Sequence, residues 1–388
     1  MPDYDTIYAA MKQRQVMLMI NPPIPLRFDG IVKYAREHNW HLTLANRLVR
    51  APRGWNGDGA LVTLRGDAET SRFVEGLVKA HIPVVDLTSY MPEVNVPRVI
   101  PDYMSAGRLA GAHFAEVGLK HVAWFSTIWT NVHSLFFDGL SERWPKPPKI
   151  VLSSLVPKTK LDDVDRFANV MSPRLLALPK PVGILTYNDE EAARLLALCL
   201  ELGIKVPDEI AILGIGNDTF LCENQPVPLS SVMDNLERNG YEAAALLERL
   251  MDGASPPTKP VLVPCQGLAA RRSTDILAVD NPVLRKALDY LKLRIANPPS
   301  AVQLSEAVGV SRATLDRLFA AHLGRSMHDE VMRMRLSRAK GMLSDGAATI
   351  RETAAACGFC NAGHFITVFR QTVGVTPGRW RETQRRSP

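Results

Sequence analysis

The sequence predicts two architectures in one chain: a two-lobed α/β region over residues 1–275, and an all-α region over 276–388 that carries two helix–turn–helix units. Three observations carry this expectation. Short apolar runs alternate with helical stretches through the first 250 or so residues, the pattern of parallel sheets covered by helices. From about residue 280 such runs stop, and one helix–turn–helix pattern is written twice. Charge divides at the same place: residues 282–388 hold 17 Lys and Arg against 8 Asp and Glu, a net of +9, and the remainder stands at −3. A basic module on a mildly acidic body suits a polyanion-binding part joined to a regulatory part.

The elements follow in order. Val16-Met17-Leu18-Met19-Ile20 is a buried-strand run that stops at Asn21-Pro22-Pro23, and residues 27–38 follow as a helix. Further strands are expected at 59–64, 82–86 and 122–126, with helices near 70–80 and 105–117. The run 182–187 leads into a helix over 190–202, and 210–215 is followed later by a helix over 238–251. Pro145-Lys146-Pro147-Pro148 and the Gly/Pro-rich stretch 252–260 interrupt this order, and 271–282 connects to the helical tail. At 388 residues two or three domains are expected. No run of about 18 apolar residues occurs, and the first residues lack a signal-peptide profile, so no membrane partner and a cytoplasmic location are expected. The five cysteines are odd in number and unevenly spaced, which argues against a disulfide framework.

The first helix–turn–helix copy runs from Gln303 to Phe319 and the second from Ile350 to Phe369. In each, a short helix with an inward alanine ends at a glycine, Gly309 or Gly358, where a tight corner needs left-handed backbone. The second helix of such a unit enters a DNA major groove. Helical spacing puts Leu315, Leu318 and Phe319 on the inner side of the first reading helix, and Phe365, Val368 and Phe369 on that of the second. Arg312, Ala313, Thr314, Asp316 and Arg317 then fall outward, as do Asn361, Ala362, His364 and Thr367. Arg recognises guanine, Asn recognises adenine, and Ala or Thr methyls touch thymine; Arg312 is equally suited to a phosphate. Gly363 is costly inside a helix, by ~1 kcal/mol. Cys357-Gly358-Phe359-Cys360 has CxxC spacing, but no second Cys or His pair is placed to complete a site, so no metal is expected. Gly214-x-Gly216 lacks the third glycine of a dinucleotide loop, and no Walker, Gly-x-Ser-x-Gly or His-Glu-x-x-His motif occurs; neither an enzyme nor a cofactor is expected.

The tail resembles the AraC/XylS family of transcription activators over about 100 residues. Beyond the two units, the resemblance rests on Leu323-Gly324-Arg325-Ser326, on Arg335-Leu336-Ser337-Arg338-Ala339-Lys340-Gly341-Met342-Leu343, and on the closing stretch from Phe369 to Arg381 with Gly374-Val375-Thr376-Pro377. It implies a long helix that holds both reading helices to successive major grooves on one DNA face. Residues from about 15 to 275 resemble the periplasmic-binding-protein-like core of LacI/GalR regulators. The matching segments are Asp102-Tyr103-Met104-Ser105-Ala106-Gly107, Asn188-Asp189-Glu190-Glu191-Ala192-Ala193, Gly203 to Gly214, and Pro228-Leu229-Ser230-Ser231-Val232.

This second resemblance implies a ligand in a cleft between two lobes, at the carboxyl ends of the strands. It carries Asn188 and Asp189 over as ligand contacts, with Asp102 at the start of its segment. The loop after the first strand adds Asn21, Arg27 and Phe28. Two positions depart: Gly216 stands where sugar-binding members usually have Asp, and Phe136 where they often have Arg; Asn217, Asp218 or Asp234 could substitute. Helix N-capping is the competing role for Asp102 and Asp189. Together the resemblances imply a homodimeric activator of sugar-catabolism genes that binds double-stranded operator DNA, a sugar effector such as D-xylose, and RNA polymerase. The alternative is a DNA-binding regulator whose N-terminal module only dimerises, binds a protein partner, or senses a non-sugar ligand.

Overall fold

A computed structural model describes residues 13–45, 55–66, 68–127, 132–142, 164–276, 281–345 and 348–385. Its strands are β1 (Arg14–Met19), β2 (Trp40–Leu44), β3 (Gly59–Val62), β4 (Val84–Asp86), β5 (Val99–Pro101), β6 (His121–Phe125), β7 (Val182–Thr186), β8 (Ile210–Ile215), β9 (Ser230–Met233), β10 (Val261–Val263) and β11 (Gly267–Ala269). Its helices begin with α1 (Pro25–Glu37), α2 (Ala68–Lys79), α3 (Tyr103–Glu116), α4 (Val132–Ser141), α5 (Val164–Leu176), α6 (Asp189–Glu201), α7 (Thr219–Glu223) and α8 (Leu236–Met251). The tail adds α9 (Pro282–Leu293), α10 (Ala301–Val308), α11 (Arg312–Leu323), α12 (Met327–Asp345), α13 (Ile350–Ala356), α14 (Ala362–Val373) and α15 (Pro377–Arg385).

The chain forms two compact units. The first comprises Met1–Leu109, Trp129–Glu142 and Met233–Gly267; the second comprises Ala110–Ile128, Arg143–Val232 and Leu268–Pro388. In the first, a parallel sheet has the order β2-β1-β3-β4. Val16, Leu18 and Ile20 of the β1 run join one core, and Met17 and Met19 join the other, so the sheet is covered on both faces. This double burial is why β1 reads as an unbroken apolar run. Proline opens α1 where a missing N–H costs nothing. Against α1, α8 packs backbone to backbone: a Cβ on Gly30 would lie 1.9 Å from the Glu237 carbonyl oxygen.

In the second unit the sheet order is β11-β9-β8-β7-β6, with β6 to β9 parallel. Its core gathers Phe125, Ile184, Ile212, Leu195 and Leu196. The same unit contains the all-helical stretch from α9 to α15. One helical core takes Leu291, Leu304, Leu315, Phe319 and Met334; the other takes Leu336, Ala339, Leu343, Phe365 and Phe369. Thus α12 feeds the first core from its early turns and the second from its later turns.

The expected strands at 16–20, 59–64, 82–86, 122–126, 182–187 and 210–215 match β1, β3, β4, β6, β7 and β8, and the five expected helices match α1, α2, α3, α6 and α8 to within a few residues. Five strands (β2, β5, β9, β10, β11) and three helices of the α/β region (α4, α5, α7) were not expected. The stretch 252–260 carries neither helix nor strand, whereas the Pro145–Pro148 linker lies outside the described residues. The boundary expected at 275/276 falls inside the second unit.

Candidate nucleic-acid interface and effector-binding residues

Each helix–turn–helix unit is fixed at both ends by local chemistry. A capping box opens α10, with Ser300 and Gln303 answering each other's backbone N–H, and Thr349 with Glu352 does the same for α13. Gly309 and Gly358 take left-handed backbone, φ +75° and +77°. A Cβ at Gly309 would meet open space, but one at Gly358 would lie 2.1 Å from the Ala296 carbonyl oxygen. The reading helices start at N-caps: Ser311 accepts the Thr314 N–H at 3.2 Å, and Asn361 accepts the His364 N–H at 2.8 Å. Both end at left-handed glycines, Gly324 and Gly374.

On α11, Leu315 and Phe319 are fully buried and Leu318 half-buried, while Arg312, Ala313, Asp316 and Arg317 are exposed. Thr314 is half-buried, its Oγ1 2.9 Å from Ser311 Oγ. Arg312 lies 3.8 Å from Asp316 one turn on, an exposed pair worth little that leaves both free to turn outward. On α14, Phe365 and Phe369 are fully buried and Val368 half-buried; Asn361, His364 and Thr367 are exposed, and Ala362 is half-buried. The Asn361 carbonyl is committed to the cap, so its amide group is what it offers outward. Ile366 is also exposed, at 38%, an apolar outward residue that sequence spacing had not singled out. Cys357 is buried, and exposed Cys360 has its Sγ 3.5 Å from His364 Nδ1.

In the first unit, Asn21 and Asp102 lie just past the carboxyl ends of β1 and β5, and Arg27 and Phe28 lie in the first turn of α1. The loop after β1 is closed by Asn21, whose N–H donates to Thr63 Oγ1 at 2.9 Å. Arg27 is 5% exposed, its Nε donating to Asn239 Oδ1 at 2.9 Å. Burial lowers its pKa, opposed by Tyr103, Tyr90 and Asp234 nearby. Phe28 is half-buried, its side chain packed against the core of this unit. Asp102 caps α3, accepting the Ser105 N–H at 3.0 Å. Phe136 is buried and meets Tyr103 edge-on at 5.1 Å, so it is core. Asp86, which nothing in the pattern marked, is fully buried and accepts from Thr88 Oγ1 at 2.8 Å and the Leu64 N–H at 3.2 Å. Burial raises its carboxyl to about 6 against those hydrogen bonds.

In the second unit, four expected residues come together. Asn188 caps α6 by accepting the Glu191 N–H at 2.8 Å. Asp189 is buried; its Oδ1 accepts from Ser231 Oγ at 2.6 Å and its Oδ2 accepts the Asp218 N–H at 2.7 Å. Burial pushes this carboxyl up, and the bonds from Ser231 and Asp218 pull it back. A Cβ on Gly214 would lie 2.1 Å from Asp189 Oδ1, and one on Gly216 3.2 Å from Oδ2. Asp189, from the start of α6, thus fills the space that Gly214 and Gly216 leave. Both Asn188 and Asp189 are engaged within the protein. Asn217, at φ +58°, donates its N–H to Ser231 Oγ at 3.0 Å and accepts from Arg271 Nη1 at 2.9 Å. Asp218 caps α7 through the Leu221 N–H at 3.1 Å.

Sequence reasoning missed Arg271, Ser231 and Glu191. Arg271 also reaches the Leu229 carbonyl at 3.0 Å and Glu223 at 3.1 Å. Glu191 is 6% exposed and accepts the Thr127 N–H at 2.7 Å and the Thr127 hydroxyl at 2.6 Å. A glutamate early in a helix looks like surface charge, so nothing in its spacing announced burial.

Comparison with known proteins fits both halves. A periplasmic binding protein-like domain matches residues 112–274, and a helix-turn-helix domain matches residues 304–383. The chain is 26% identical to the xylose operon regulatory protein of Escherichia coli K12 over 376 residues, which covers 91% of this chain and 92% of that one. It is 26% identical to the protein of the same description from Haemophilus influenzae over 326 residues, covering 81% and 83%. A solved structure described as the xylose-binding transcription activator xylR has the same fold: TM-score 0.60, 24% identity, covering 96% of this chain and 98% of that one.

Proposed function

From a chain that is a DNA-binding regulator of the AraC type, joining a periplasmic-binding-protein-like domain to a helix-turn-helix domain, we propose an activator of sugar-catabolism genes controlled by a small effector. Residues 276–388 read operator DNA, and residues 1–275 bind the effector and form the homodimer. The effector is a sugar of the pentose class, as the names of the relatives suggest, and RNA polymerase is the downstream partner. No helix among the described residues is long and apolar enough to cross a membrane, which accords with a cytoplasmic place of action.

The observation that carries the reading is the pair of capped reading helices, α11 and α14. Both are held by buried aromatics and share α12, and both turn exposed, chemically different residues outward. Arg312, Arg317, Asn361 and His364 supply donors for base edges or phosphates; Ala313, Ala362 and Thr367 supply methyl contacts, and Thr314 and Asp316 complete the outward faces. On the effector side, Asn21, Arg27 and Asp102 serve the first lobe, and Asn217 and Asp218 the second. Asn188 and Asp189 act there mainly by holding those loops.

The test combines two measurements. Purified protein is used to select fragments of its source genome, and its thermal unfolding is followed with a panel of pentoses, hexoses, polyols and sugar acids. Fragments from sugar-utilisation promoters and a raised midpoint with one sugar are expected, because binding to the folded state alone stabilises it. Failure to enrich any fragment overturns the DNA-binding reading. The internal engagement of Asp189 and Asn217 favours a second reading, in which the N-terminal module dimerises, binds a protein, or senses a non-sugar ligand. Operator binding with no sugar response selects it.

A further inference from the structure

A cavity of about 340 Å³ opens within the second unit, between the stretch after β11 and the helices α9 and α12. One wall belongs to the effector-side sheet. Ser273 Oγ donates to the Ile212 carbonyl at 2.6 Å and accepts the Ser230 N–H at 2.8 Å, which welds residues 271–274 to β8 and β9. The other wall belongs to the helical tail. Across the cavity, Lys292 of α9 and Arg333, Ser337 and Arg338 of α12 face that welded stretch.

The lining is strongly unbalanced in charge. It contains five cations, Arg271, Arg272, Lys292, Arg333 and Arg338, and one carboxylate, Asp275. Three of the cations are already matched: Lys292 to Asp275 at 2.8 Å, Arg271 to Glu223 at 3.1 Å, and Arg333 to Glu330 at 2.8 Å. Arg272 and Arg338 are exposed, and neither guanidinium has a hydrogen bond or ion pair among the described residues. They belong to different segments, Arg272 to the stretch after β11 and Arg338 to α12, and Ser337 of α12 adds a hydroxyl to the lining. Ala270, Ile295 and Met334 complete an apolar floor. No residue of α11 or α14 contributes, so the cavity is separate from the reading surfaces.

A guanidinium is a planar fork of donors that matches two oxygens of one phosphate or carboxylate. Two such forks over an apolar floor, in a space at the lower end of small-molecule pockets, define a ligand with a charged oxyanion and a short carbon body. We propose that this cavity binds a small organic oxyanion, a phosphate ester or a polycarboxylate, which bridges Arg272 on the effector side to Arg338 on the DNA-reading side. Arg271 lines the same cavity and holds Asn217 Oδ1 at 2.9 Å. Occupancy of the cavity and the state of that effector loop therefore share a residue; this last link rests on the functional reading above. Any coupling is reciprocal, so an anion that alters operator affinity must have its own affinity altered by operator.

The experiment is calorimetric titration of the full chain, free of DNA, with inorganic phosphate, ribose 5-phosphate and citrate as probes, and with neutral D-xylose in a separate arm. Saturable binding of ribose 5-phosphate or citrate at one per chain is expected, and whichever saturates identifies the oxyanion. In the double variant R272Q/R338Q that affinity falls at least tenfold, while melting without ligand is unchanged, as befits two exposed and unpaired side chains. The proposal is overturned if no anion probe saturates, or if the double variant binds as the wild type does. It is also overturned if the variant loses DNA affinity and keeps its anion, which would assign the two arginines to the DNA backbone. A chain that ignores D-xylose and enriches no genomic fragment but still binds the anion refutes the functional reading and leaves this site standing.

Discussion

Glu191 holds a proton at a pH where an ordinary glutamate has lost it. Burial raises its carboxyl to about 7, against hydrogen bonds from Thr127 and its neighbours. The unfolded chain releases that proton near pH 4.5 and the folded chain near pH 7, so between those values the folded state holds more protons and stability falls as pH rises. His113 and His133 act in a different direction. Burial lowers both to about 4, so each costs stability as pH falls from 6.5. The comparison that isolates Glu191 is therefore wild type against Glu191→Gln. Urea unfolding across pH 4.5 to 8 should show the variant gaining on the wild type by roughly 2 kcal/mol over this range; parallel curves would remove the account. The same burial explains what the sequence could and could not disclose about the site. Asn188 and Asp189 were singled out because they sit in a recognisable segment, and Asn217 and Asp218 because they flank the departing Gly216. Their engagement was not legible, because it depends on Ser231 and Arg271, which arrive from distant loops. That Phe28 packs against the core was likewise not legible: a residue early in a helix after a strand end faces cleft or core according to helix packing, which no local spacing specifies.

At the scale of elements, the two helix–turn–helix units were legible almost to the residue. Their caps, corners and aromatic faces are all local chemistry. Thr349→Ala and Ser300→Ala should each cost about 1 kcal/mol in thermal unfolding, through loss of a capping box. The two corners should respond unequally. Gly309→Ala pays only for left-handed backbone, about 1 kcal/mol. Gly358→Ala adds a collision with the Ala296 carbonyl and should cost on the order of 3 kcal/mol. Equal losses at the two corners would contradict the packing described here. Strands that escaped notice share a physical cause. Ser230 and Ser231 of β9 are fully buried, yet polar, because their hydroxyls have partners within the fold. β5, β10 and β11 are three residues each, too short to show a period, and Pro173 inside α5 disguises a helix.

For the molecule as a whole, the helical tail carries an ion cluster whose central carboxylate is fully buried while its two arginines stay partly exposed. Glu330 is fully buried between Arg325 at 2.5 Å and Arg333 at 2.8 Å. Arg325 also donates, at 3.4 Å, to the carbonyl of Glu116 at the end of α3. Removing the central carboxylate strands two cations, so Glu330→Gln should cost roughly 3 kcal/mol and lower the unfolding midpoint of the second unit. Unchanged melting would show that water replaces the carboxylate freely. The overall plan was legible because each architecture has its own period, apolar runs for covered parallel sheets and paired helices for the tail. The joining of the tail to the second lobe in one unit was not, since Arg325 and Glu116 are more than 200 positions apart. The duplicated tail has one further consequence. Its two halves share their scaffold positions, Leu315 and Phe319 in one and Phe365 and Phe369 in the other, yet at no equivalent position do the outward sets Arg312-Ala313-Thr314-Asp316-Arg317 and Asn361-Ala362-His364-Thr367 carry the same residue. Folding and vocabulary are thus written at separate positions. Mutation can rewrite one half's vocabulary while the other keeps the protein on its promoter, so new target genes can be recruited stepwise without passing through an unfolded or unanchored ancestor.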